Sequence, residues 1–126
     1  MKIETEDPKV SDLPVWDKEG MLARLMDDQD LAKIITETFL TDIPQQILAL
    51  KLLIDSGDSL GAEHKAHTIK GASALVGGEQ LRVVAFEMEK AFKLKDLTAS
   101  AFRISELETR FEKLREVLPT SITLKN

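Results

Sequence analysis

Between Pro44 and Pro119 the chain contains no proline, and across that stretch apolar residues recur every three to four positions. That spacing places them on one face of a helix, so it dictates helices that must bury a stripe against one another. No segment shows the period-two alternation of a strand. Asp17 reads as the N-cap of a short first helix bearing Met21, Leu22 and Leu25. A second helix is expected from Asp28 to Leu40. Thr41-Asp42-Ile43-Pro44 should interrupt or kink it before a third apolar run from Ile47 to Ile54, which ends at Ser56-Gly57. Asp58 or Ser59 should cap a helix running to Val76, which Gly77-Gly78 ends. Glu79 to Leu94 follows, with Leu81, Val84, Ala85, Met88 and Phe92 inward. A last helix starts near Asp96 or Thr98 and stops at Pro119. The expected fold is all-α: an antiparallel four-helix bundle with one or two short extra N-terminal helices. Residues 1–15 read as a polar tail or linker, 16–118 as the bundle and 119–126 as a C-terminal tail. Leu13, Val15 and the lone Trp16 should dock, because an exposed indole is costly.

With 126 residues, the chain suits one domain. Its formal charge of -5 disfavours nucleic-acid binding, which needs a clustered basic face. It has no cysteine, so disulfides, thiolate metal sites and cysteine nucleophiles are excluded. Ile47 to Ile54, the longest apolar stretch, is broken by Lys51 and far too short to insert in a bilayer. The N-terminal residues show no signal-peptide core. A cytoplasmic location is the default, compatible with the cytoplasmic end of a membrane-anchored sensor kinase. The acidic, proline-bearing head reads as a linker and leans toward a segment of a longer protein.

The helix over residues 62–78 carries the chemistry. With His67 at zero on a wheel of roughly 100° per residue, Ala62, Ala66, Ile69, Ala72, Ser73 and Val76 fall between about 140° and 260°. His67 lies opposite that stripe and should be exposed. Lys65 falls at the stripe's edge and must snorkel. Lys70 and Gly71 neighbour His67 at i+3 and i+4. Gly71 costs about 1 kcal/mol relative to Ala in a helix, which suggests that its missing side chain lets another protein approach. Neutral imidazole is a nitrogen nucleophile near pH 7. Lys70 could balance a phosphate. His64, one turn before His67, could form a metal pair only if further ligands appeared, and none has the spacing. Lys90, Lys93 and Lys95 fit a helix C-terminus complementing its dipole.

His67-Thr68-Ile69-Lys70-Gly71-Ala72-Ser73-Ala74-Leu75-Val76-Gly77 closely resembles the His-x-x-Lys-Gly-x-Ser-x-x-x-Gly signature of histidine phosphotransfer domains, the four-helix bundles of bacterial two-component phosphorelays and hybrid sensor kinases. The resemblance covers roughly residues 16–118. It implies that His67 is phosphorylated, that Lys70 stabilises the phosphoryl group, that Gly71 lies beside a docking surface shared with Leu60, His64 and Ala74, and that Gly77 ends the helix. The family often has a Gln or Glu on the next helix bonded to the histidine. Counting back from the glycine turn sets His67 opposite Met88, which points inward, so Glu89 is the candidate. The implied partners are receiver domains, with the Mg²⁺ held by the receiver and no cofactor in this chain. A carrier without its own ATP site is expected, acting as a monomer; no nucleotide-binding loop is present. The alternative is the phosphoacceptor domain of a chemotaxis-type histidine kinase, phosphorylated from ATP by a kinase domain of the same polypeptide. An inert helical interaction bundle and a helical hydrolase find less support, since no carboxylate cluster or nucleophile–base pair recurs.

Overall fold

The computed structural model describes residues 9–118; residues 1–8 of the expected N-terminal tail and all of the expected C-terminal tail, 119–126, lie outside the described residues. After a 3-10 turn at Val10–Asp12 come six helices: α1 (Lys18–Arg24), α2 (Gln29–Asp55), α3 (Ser59–Val76), α4 (Glu79–Lys93), α5 (Leu97–Phe102) and α6 (Ile104–Val117). Aspartates start three of them. Asp17, Asp28 and Asp58 each accept a hydrogen bond from the backbone N–H three residues on, satisfying a donor that the first helical turn leaves open. The expected choice between Asp58 and Ser59 therefore falls on Asp58. α2, α3, α4 and the α5–α6 arm form an antiparallel bundle, with α3 against α4 its most extensive contact. Among the described residues, no helix is long and apolar enough to cross a membrane.

Two expectations need correction. α2 is one helix of 27 residues that runs through Pro44, not a helix to Leu40 followed by a second run. Pro44 faces solvent, while Ala32, Thr36, Phe39, Ile43, Ile47 and Leu50 form one unbroken buried stripe. A proline inside a helix costs about 3 kcal/mol. Burying each large apolar side chain of the stripe returns about 1.5–3 kcal/mol, so continuity wins. Thr41 adds a bond from its hydroxyl back to the Glu37 carbonyl, inside the helix. The last helix, by contrast, is broken: Arg103 has ψ -5 between α5 and α6. The segment Leu97–Phe102 includes Thr98, Ser100 and Phe102, weak helix formers, and Phe102 ends up solvent-exposed.

The core collects the inner faces: Phe39, Ile43, Ile47 and Leu50 of α2; Ala62, Ala66, Ile69 and Val76 of α3; Leu81, Val84, Met88 and Phe92 of α4; Leu107, Phe111 and Leu114 of α6. Phe39 and Phe111 meet across it with ring centroids 6.0 Å apart. The small side chains of α3 let α2 and α4 approach it closely.

Residues 13–24 strap the far end of α3. Its last carbonyls have no partner within the helix. Three nearby carbonyls are satisfied from outside: Val76 accepts from the Trp16 indole N–H at 2.9 Å, Gly77 from the Asp17 amide at 2.7 Å, and Leu75 from the Arg24 Nε at 3.4 Å. Gln80, buried on α4, donates to the Leu13 carbonyl at 2.7 Å and accepts from Arg110 of α6 at 3.0 Å. Val10, Val15 and Trp16 pack against the core.

Gly77 sits at φ +82, and a Cβ there would lie 2.4 Å from the Asp17 carbonyl oxygen. Gly71 has nothing within 4 Å of the same position. The two glycines should respond to alanine with opposite signs. Gly77→Ala is expected to destabilise by about 2 kcal/mol or more, from left-handed strain plus the clash. Gly71→Ala should stabilise by up to about 1 kcal/mol. Urea midpoints at unchanged m-value measure both; shifts in the same direction would contradict this account.

Candidate functional site

His67 projects from the outer face of α3, with 65% of its side chain exposed. The hairpin of α3 and α4 brings Glu89 beneath it. Met88, one residue earlier, is wholly buried, which turns Glu89 to the rim of the core. The His67 Nδ1 lies 2.9 Å from Glu89 Oε2. An ionised carboxylate can only accept, so Nδ1 carries the proton and donates. That leaves the Nε2 lone pair on the solvent side of the ring. Lys70 reaches Glu89 from the same helix as His67, its Nζ 2.8 Å from Oε1. One carboxylate thus orients an imidazole with one oxygen and holds an ammonium with the other.

Glu89's side chain is only 11% exposed. Burial by itself pushes its carboxyl up, but the Lys70 ammonium and the His67 ring outweigh burial and hold it below the usual carboxylate value. It is therefore ionised throughout the neutral range.

The other residues singled out from the sequence are also located. Leu60, His64 and Gly71 are exposed on α3, and Ala74 is half-buried. With no atom near its Cβ position, Gly71 is not a packing glycine; it leaves an open step beside the imidazole. Glu63, beside His64 on α3, faces Lys93 of α4 at 3.8 Å. Lys90 is balanced by Glu87 at 3.1 Å. Gly77 ends α3 in the left-handed conformation. The sequence reading missed Phe86 and Arg82 of α4, which with Lys70, Gly71 and Ala74 line a shallow hollow beside the site. An aromatic three residues before Glu89 and off the α4 core stripe was the available signal.

A family model described as the Hpt domain matches residues 35–117. The chain belongs to the Hpt domain family. Hpt domains are histidine phosphotransfer carriers in phosphorelays and interact with receiver domains of response regulators. The match begins at Ile35, inside α2, so the strap and α1 lie outside it. The fold is similar to the crystal structure of histidine-containing phosphotransfer protein B (HptB) from Pseudomonas aeruginosa PAO1, with a TM-score of 0.76 and 23% identity over 89% of this chain and 92% of that one. Comparison with curated protein sequences returned no match.

The depressed Glu89 value fixes the direction of a pH effect. The folded state holds the carboxyl more acidic than the unfolded chain does, so ionised Glu89 contributes stability above about pH 4.3, and that contribution fades as pH falls through the lower folded value. Glu89→Gln should therefore flatten the acid limb of the stability–pH curve below about pH 4.3, read by urea unfolding. In long-range ¹H–¹⁵N spectra the same substitution should mix the His67 tautomers, because an amide can donate as well as accept. An unchanged Nδ1-protonated signal would mean that Glu89 does not set the tautomer.

Proposed function

We propose that this Hpt domain is a phosphorelay intermediate that accepts a phosphoryl group on His67 Nε2 from a receiver-domain aspartate and passes it to another receiver. The observation that carries the reading is the exposed imidazole whose inner nitrogen is tied to Glu89. In this reading the Nε2 lone pair attacks the phosphorus of the aspartyl phosphate in line. The N–P bond forms as the P–O bond to the aspartate breaks, and the carboxylate departs with the electron pair. The ring acquires positive charge, which Glu89 balances through the Nδ1–H. Lys70 lies close enough to swing toward the incoming phosphoryl oxygens. The Mg²⁺ that such transfers use belongs to the receiver. Transfer to the next receiver is the same step reversed.

Gly71, Ala74, Leu60 and His64 would form the landing surface, a low step flanked by half-exposed apolar groups that leaves Nε2 accessible to a receiver's pocket. The domain acts as a monomer here, since a self-associated His67 face would exclude the receiver. ATP through a kinase domain of the same polypeptide is the alternative donor, and it would use the same nitrogen.

Incubation with a phosphorylated receiver should label the chain with an acid-labile, base-stable phosphate, and His67→Gln should abolish labelling. Equal labelling of the Gln variant would refute the assignment of His67. Lys70→Ala should slow transfer on the order of tenfold or more while leaving the fold intact.

A further inference from the structure

Lys70 has a long stem of four rotatable bonds and a strongly hydrated head, so it does not hold one position unaided. Its own helix contributes only the small residues Gly71 and Ala74 to the hollow that Lys70 lines. The wall comes from α4. The Lys70 ammonium lies 5.0 Å from the centroid of the Phe86 ring, over its face. Phe86 precedes Glu89 by one helical turn, so ring and carboxylate flank the ammonium from the same side of α4. Phe86 is partly exposed and lies off the α4 core stripe, so core packing does not account for it.

We infer that Phe86 is a positioning residue for phosphoryl transfer at His67, its ring face keeping the Lys70 ammonium beside the imidazole. The inference rests on the phosphotransfer reading of His67 and adds a residue to it. An aromatic face suits the task for an electrostatic reason. The ring quadrupole attracts a cation without cancelling its charge, whereas a second carboxylate would neutralise the ammonium that a phosphoryl group needs. On the ring, Lys70 can exchange its Glu89 contact for phosphoryl oxygens by a small rotation and remain in the same niche. Lys90 also lies over this ring, 4.7 Å from its centroid. Its charge is offset by Glu87, which lessens its competition with Lys70 for the face.

The test uses the whole chain and phosphoramidate, a small phosphoryl donor that needs no partner protein, with His67 labelling followed by ³¹P NMR. Phe86→Leu should slow labelling about two- to fivefold, the range expected for one partly exposed cation–aromatic contact. Phe86→Tyr should restore the rate. In a Lys70→Met background, Phe86→Leu should have no further effect, which separates action through Lys70 from a general packing role. Independently of phosphorylation, the Lys70 Hε resonances should be shifted upfield by the ring and move downfield in Phe86→Leu. An unchanged rate in Phe86→Leu, or an equal loss with Met at position 70, overturns the inference. If the unsubstituted chain takes no label while the Lys70 shift still depends on Phe86, the phosphotransfer reading falls, and with it the role assigned to the ring.

Discussion

Gly77 governs the relation between the two halves of the site. Its left-handed backbone closes α3, and the chain reverses within two residues into α4. The Asp17 backbone presses against the place where its side chain would be. A bulkier turn would change the offset between α3 and α4. A shift of one residue rotates a helix face by roughly 100°, which would replace Glu89 beneath the imidazole with buried Met88 or solvent-facing Lys90. The hydrogen bond at His67 is thus set by backbone geometry about three helical turns away.

The charges are arranged economically. A nearly buried carboxylate without partners would be strongly unfavourable, yet Glu89 has a cation on one oxygen and an N–H donor on the other. Satisfying Glu89 and orienting His67 are one arrangement. The imidazole's two nitrogens are made inequivalent by it: the inner one is committed to the protein and the outer one is free for chemistry.

Much of this was legible in the sequence for identifiable reasons. His67 could be assigned to the outer face because α3's apolar residues form one clean stripe, and Glu89 could be reached because a two-glycine turn leaves little freedom in counting across a hairpin. Pro44 misled because its local penalty is visible in sequence, whereas the continuity of the buried stripe from Ala32 to Leu50 emerges only once the helix has something to pack on. The break at Arg103 lies in a stretch whose apolar spacing fits one helix, and only weak propensity hints at it. Phe86 was passed over because an aromatic residue off the core stripe resembles ordinary surface; its meaning depends on a lysine from another helix.

The strap has a spectroscopic consequence. The chain's single tryptophan donates its indole N–H to the carbonyl that ends α3. Trp16 fluorescence therefore originates from the junction of the N-terminal segment with the histidine-bearing helix. Emission wavelength and quenching will register release of that junction separately from unfolding of the bundle's helices, which far-ultraviolet circular dichroism follows. The protein carries an intrinsic optical gauge for the closed end of the helix that holds His67.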